Sequence, residues 1–192
     1  MIRFLVLSLC LALCAPAQAA EAAPAAQRIF LSPSGEPFRG PADGPDPFDA
    51  WFEQADANHD GAIDRAEFRA DAVRFFHRLD TDGDGVIDGF ELNAYETKVV
   101  PELAAEAEGR FLSERSGRRG KAGRGARGGL ERLLDEPEPV SGADFQFDGK
   151  VSLAEWMQAT DQRFDLLDKN KTGRLTREAM KARLAGPAKP GR

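Results

Sequence analysis

Asp80-Thr81-Asp82-Gly83-Asp84-Gly85-Val86-Ile87-Asp88-Gly89-Phe90-Glu91 places oxygen-bearing side chains at positions 1, 3, 5, 9 and 12 of a twelve-residue stretch, with glycine at position 6. A hard cation such as Ca²⁺ takes about six to eight oxygen ligands at roughly 2.3–2.6 Å. Asp80, Asp82, Asp84 and Asp88 supply such oxygens from one tight turn. The backbone carbonyl of Val86 at position 7 adds another, and Glu91 closes the cage with both carboxylate oxygens. Gly85 permits the sharp reversal that a residue with a Cβ resists.

Three further stretches follow the same pattern with decreasing fidelity. Upstream, Asp56-Ala57-Asn58-His59-Asp60-Gly61-Ala62-Ile63-Asp64-Arg65-Ala66-Glu67 fills every position, with Asn58 at position 3 and the Ala62 carbonyl at position 7. Downstream, Asp144-Phe145-Gln146-Phe147-Asp148-Gly149-Lys150-Val151-Ser152-Leu153-Ala154-Glu155 offers Asp144, Gln146, Asp148, the Lys150 carbonyl, Ser152 and Glu155. Gln146 is longer than Asp or Asn and strains position 3, and Ser152 is expected to act through water. The last copy begins at Asp168 and has Asn170, Thr172 and Thr176 as neutral oxygens, but Ala179 at position 12. Glu178, one residue early, points about 100° away on a helix. In chain order these are loops one (Asp56), two (Asp80), three (Asp144) and four (Asp168).

Carboxylate counts at the five side-chain positions are five, four, three and one for loops two, one, three and four. Affinity rises with ligand charge and rigidity. Loops one and two are therefore expected to bind Ca²⁺, loop three more weakly, and loop four to be mainly structural. Mg²⁺ is the weaker candidate because it demands a smaller octahedral site.

The complete pattern D-x-[DN]-x-[DN]-G-x₅-E in loops one and two resembles the EF-hand family. The resemblance spans roughly residues 46–100 and 140–185, and with an N-terminal export signal the chain looks like a bacterial exported EF-hand protein. It implies helix–loop–helix units whose loops pair through a short β-bridge near position 8, here Ile63, Ile87, Val151 and Leu175. The expected fold class is all-α: two pairs of Ca²⁺ loops joined by a disordered Gly/Arg-rich linker.

Spacing complicates the pairing. Twelve residues, Phe68 to Leu79, separate loops one and two. As one helix they span roughly 18 Å and hold the two loops at opposite ends. Either that helix breaks, or each loop pairs with one from the other half and residues 46–185 form one domain. Two linked lobes are the favoured expectation. The offset from Asp56 to Asp80 is 24 residues, as is that from Asp144 to Asp168, which suggests duplication of a two-loop unit.

Helical signals surround the loops. Asp46 is a cap and Pro47 a first helical residue, with Phe48, Trp51, Phe52 and Ala55 on one face. Phe68, Ala72, Val73, Phe75, Phe76 and Leu79 form an apolar stripe, and Trp156, Met157, Thr160, Phe164 and Leu167 another. Leu92, Tyr95 and Val99 continue a helix after loop two.

The expected domains are a signal peptide (1–19), a flexible Pro/Ala-rich lead-in (20–45), a first loop pair (46–112), a disordered basic linker (113–129) and a degenerate second pair (130–186). The signal rests on Arg3, the apolar run Phe4–Leu13 and the cleavage pattern Ala17-Gln18-Ala19. Cleavage near Ala19 places the mature chain in the periplasm or outside the cell. It also removes Cys10 and Cys14, leaving no cysteine for a disulfide. Leu13 before Cys14 disfavours a lipid anchor. No other apolar run reaches the length of a membrane span.

Charge is segregated within a net −6. From Asp43 to Glu91 fourteen acidic residues face four arginines; from Arg110 to Arg132 eight basic residues face two glutamates. Calcium ions are the first expected partner. A protein or anionic surface is the second, through residues 115–129; DNA is not expected, since the segment lacks the aromatics that stack on bases. Its bland reading is a solvated spacer. Neither His59, at a non-ligand loop position, nor His77 has a companion at transition-metal spacing. The serines lack a histidine partner in any triad pattern, so no enzymatic activity is expected.

Overall fold

The computed structural model describes residues 27–101, 134 and 138–185. The proposed signal and the Arg/Gly-rich stretch lie outside the described residues. The chain begins with a hairpin, β1 (Gln27–Leu31) and β2 (Pro37–Pro41), followed by α1 (Pro47–Ala55). Then come β3 (Ala62–Asp64), α2 (Arg65–Leu79), β4 (Val86–Ile87) and α3 (Gly89–Ala94), which runs into a π-helical turn, Tyr95–Val99. The second half has a 3₁₀ turn, Ser141–Ala143, then β5 (Val151–Ser152), α4 (Leu153–Leu167), β6 (Arg174–Thr176) and α5 (Arg177–Ala185).

Local chemistry explains the helix starts. Asp46 caps α1 by accepting from the Phe48 N–H at 3.1 Å, ahead of Pro47. α2, α3 and α4 each begin with a reciprocal capping box: Asp64 with Glu67, Asp88 with Glu91, and Ser152 with Glu155. These are positions 9 and 12 of their loops, so the same side chains that offer metal oxygens also start the exit helices.

α2 is continuous over fifteen residues, as is α4. Each is about 22 Å long and keeps its two loops at opposite ends. Pairing is therefore between halves. β3 pairs antiparallel with β6, Ile63 opposite Leu175, and β4 pairs antiparallel with β5, Ile87 opposite Val151. Loop one thus joins loop four, and loop two joins loop three. α2 and α4 pack side by side in opposite directions, which is the arrangement that lets both bridges close.

The core lies along this helix pair. Phe68 meets Phe164 edge-on at 5.5 Å near one end, and Trp156 packs on Phe75 and Phe76 near the other. Trp156 also donates its indole N–H to the Ala72 carbonyl at 2.9 Å. On the surface of the same interface, Arg69 and Arg65 pair with Asp161, and Arg65 pairs with Asp165. α5 is tied to α1 by Arg177 and Lys181, both on Asp49, with Arg177 over the Phe52 ring.

The expectation of an all-α fold with one loop pair in each half is corrected on two counts. The fold is mixed α/β: among the described residues, five α-helices accompany three two-stranded sheets. The loop pairs also cross between halves, because neither fifteen-residue helix breaks. The largest sheet comes from the segment expected to be a flexible lead-in. Its prolines do not oppose the hairpin: Pro33 sits in the turn, and Pro37 and Pro41 end a strand that has only one neighbour.

That hairpin is held firmly. Phe30 packs on Phe48 and Trp51, and Leu31 is fully buried. Buried Glu36 pairs with Arg74 and Arg78 of α2 and accepts from Gln54. Asp71 joins the network, accepting from the Trp51 indole and Gln54 and pairing with Arg74. Burial lowers the Arg74 pKa, but Glu36 and Asp71 outweigh it and hold the guanidinium above its ordinary value. Gly35 has φ +92° and faces the Tyr95 hydroxyl and Pro139, each 2.8 Å from where a Cβ would lie. Tyr95 donates to the Gly35 carbonyl, also at 2.8 Å.

Two outcomes follow from this packing. Trp156→Ala in the full chain is expected to cost about 3–5 kcal/mol in denaturant unfolding. It should destabilise the first half and the second half together, because the core spans both. Asp161 is held below its ordinary pKa of 3.8, chiefly by Arg69 and then by Arg65, against burial. Its contribution is therefore present above pH 3.8 and lost as the pH falls below it. Asp161→Asn should lower Tm slightly at neutral pH, with the difference vanishing in acid.

Candidate metal centre

All four loops adopt one backbone. Position 6 has positive φ in each: Gly61 (+86°), Gly85 (+83°), Gly149 (+79°) and Gly173 (+74°). Position 4 is left-handed as well, at His59 (+57°), Gly83 (+76°), Phe147 (+56°) and Lys171 (+53°). Loop two alone uses glycine there and so avoids the cost a Cβ brings to this conformation.

The position 1 aspartate organises each turn by accepting backbone N–H groups. Asp56 accepts from Asp60 at 3.1 Å and Gly61 at 2.9 Å. Asp80 accepts from Gly83, Asp84 and Gly85 at 2.8, 3.0 and 3.0 Å. Asp144 accepts from Asp148 and Gly149, and Asp168 from Thr172 and Gly173. Burial raises the Asp168 pKa, but the Thr172 and Gly173 N–H groups outweigh it and bring the carboxyl below its ordinary value.

Position 5 repeats the device one step on. Asp60, Asp84 and Asp148 accept from the N–H groups of Ala62, Val86 and Lys150 at 3.1, 2.8 and 2.9 Å. At position 3, Asn58 and Asp82 accept from the Asp60 and Asp84 N–H groups. These bonds fix the direction of each carboxylate.

The position 12 glutamates reach back across their loops. Glu67 accepts from the Asn58 and Asp64 N–H groups at 3.1 and 3.0 Å. Glu91 accepts from the Thr81 N–H and hydroxyl at 2.6 and 3.0 Å, and from the Asp88 N–H at 3.1 Å. Glu155 accepts from the Ser152 N–H and hydroxyl at 3.0 and 2.7 Å. Those Ser152 bonds hold the Glu155 carboxyl below its ordinary pKa, against burial, with Gln146 adding to the effect. The other oxygen of Glu155, Oε1, is buried and accepts no hydrogen bond of good geometry.

This donor set fits a hard divalent cation. In loop two, oxygens of Asp80, Asp82 and Asp84 all lie within 4.8 Å of one another. Asp80 and Glu91, at the two ends of the loop, are both buried. Three like charges so close repel one another, and a divalent cation offsets that repulsion. In loop three the buried Glu155 Oε1, which lacks a well-formed hydrogen bond, is the kind of oxygen a cation satisfies. Loop four keeps the turn but has Ala179 where the others have glutamate. Among the described residues, no carboxylate takes that place: Glu178 is exposed and makes no ion pair.

One residue at loop one is not foreseen from the local motif. Arg174, at position 7 of loop four, lies in β6 with Asp64 opposite, and its Nη2 is 2.6 Å from Asp60 Oδ1. That ion pair is the first cause holding Asp60 below its ordinary pKa. Its signal in the sequence is a basic residue at position 7 of the partner loop, legible only once the loop pairing is known.

Residues 48–70 and 72–94 each match the family model for the EF hand. The two matches cover loops one and two with their flanking helices and support the EF-hand reading of these two units. The search of curated proteins and that of solved structures gave no match. Among the described residues no helix is long and apolar enough to cross a membrane.

Gly85 offers a direct check on the loop backbone. No atom lies within 4 Å of where its Cβ would be, so a substitution meets no clash. Gly85→Ala is expected to cost about 1–2 kcal/mol through backbone conformation alone, measured by urea unfolding without added metal.

Proposed function

We propose that this protein binds Ca²⁺ outside the cytoplasm and acts as a buffer whose structure the ion consolidates. Asp56, Asn58, Asp60, the Ala62 carbonyl, Asp64 and Glu67 would hold one ion. Asp80, Asp82, Asp84, the Val86 carbonyl, Asp88 and Glu91 would hold a second. The observation that carries this reading is the convergence of Asp80, Asp82 and Asp84 in a loop closed by buried Glu91. Loop three, with Asp144, Gln146, Asp148, the Lys150 carbonyl, Ser152 and Glu155, is a weaker third site. The bound ion supplies charge neutralisation; the chain supplies carboxylates already aimed by backbone N–H groups.

A buffer is favoured over a sensor by the packing. A sensor opens an apolar, often Met-rich groove on binding. Here Met180 is buried and Met157 half-buried, and the aromatic faces of α2 and α4 are spent on each other. Export is part of the proposal and rests on the N-terminal sequence, with cleavage near Ala19.

Calorimetric Ca²⁺ titration of the mature chain tests the site assignment. Glu67→Gln and Glu91→Gln are each expected to remove one of the tight sites. Unchanged stoichiometry in both variants refutes the assignment. A large rise in ANS fluorescence on Ca²⁺ addition would instead favour a sensor.

A further inference from the structure

We propose that Arg174 is an internal cation that competes with Ca²⁺ at Asp60 and lowers the affinity of loop one further below that of loop two. The inference rests on the calcium reading of these two loops and adds a determinant of their order of filling.

Arg174 arrives from the other half of the chain. β6 pairs with β3 and places Arg174 opposite Asp64, beside the loop one cage. Its backbone is held on both sides: the Thr172 hydroxyl donates to the Arg174 carbonyl at 3.0 Å, and the Arg174 N–H donates to the same hydroxyl at 3.3 Å. The guanidinium meets Asp60 Oδ1, the oxygen that also accepts the Ala62 N–H. One of the four carboxylates of loop one is thus engaged by a cation that cannot lose its charge near neutral pH.

Loop two has no such partner. Among the described residues, no lysine or arginine forms an ion pair with Asp80, Asp82, Asp84, Asp88 or Glu91. Lys150, the position 7 residue of loop three across the second bridge, is exposed and forms no ion pair either. The asymmetry of the paired loops therefore adds to that of the two motifs, which differ in charge at position 3, Asn58 against Asp82, and at position 10, Arg65 against Gly89. A fixed positive charge a few ångströms from a divalent ion is worth about tenfold in binding at solvent-exposed dielectric. As calcium rises, loop two fills first and loop one second, which broadens the range over which the protein takes up the ion.

The test is Ca²⁺ titration of full-length Arg174→Gln beside the wild type and Arg174→Lys. Arg174→Gln should tighten the weaker of the two strong sites about tenfold with stoichiometry unchanged. Adding Glu67→Gln should abolish the site that tightened, and Arg174→Lys, which keeps the charge, should stay near wild type. A second measurement needs no variant: the side-chain ¹⁵N resonance of Arg174 should move with the second equivalent of Ca²⁺ and not the first. If both affinities are unchanged in Arg174→Gln, or the resonance follows the first equivalent, the proposal is wrong while the calcium reading stands. If the wild type takes up no Ca²⁺, both fall.

Discussion

The rest of the structure depends on the continuity of α2. This one helix is the exit of loop one and the entrance of loop two. Because it does not break, the two best-matched loops are held roughly 20 Å apart and cannot bridge each other. Each loop strand still has backbone groups to satisfy, so each needs a strand from elsewhere. α4 has the same length and the same relation to loops three and four, and lying antiparallel it brings a partner strand to each end. The aromatic contacts between Phe68 and Phe164, and among Phe75, Phe76 and Trp156, follow from that alignment.

This arrangement gives each acidic loop a less acidic neighbour. Loop four keeps the glycine turn, the left-handed residue at position 4 and the N–H-collecting aspartate, although it lacks a glutamate at position 12. Its conformation is therefore maintained by backbone hydrogen bonds and by docking of α5 on α1 through Asp49. Loop four acts as scaffold and, through Arg174, as an electrostatic neighbour. Lys181 and then Arg177 hold the Asp49 carboxyl below its ordinary pKa, against burial, so the ion pair that anchors this scaffold persists across the neutral range.

Much of this was legible locally. Asp46 and Pro47 mark the start of α1, the apolar stripes mark the buried faces, and the spacing of aspartates marks the loops, because each depends on neighbours within a turn or two. The pairing was not legible, since Ile63 fits Ile87 or Leu175 equally well on local grounds. Only the unbroken helix decides between them. The hairpin was hidden because six prolines between Pro24 and Pro47 read as loop, whereas those in the hairpin occupy its turn and strand ends. The Arg174–Asp60 contact was hidden for the same reason as the pairing: its two residues meet only after the halves have joined.

The crossed bridges also govern how the chain reaches its native state. Neither sheet between loops can form until the second half has been made, and Lys181 meets Asp49 across 132 residues. The contacts that complete the fold are thus of high sequence separation, which slows folding and leaves strand edges open meanwhile. An N-terminal half emerging alone has β3 and β4 without partners and the aromatic face of α2 uncovered. A chain built in this way assembles as a unit once both halves are made rather than one hand at a time.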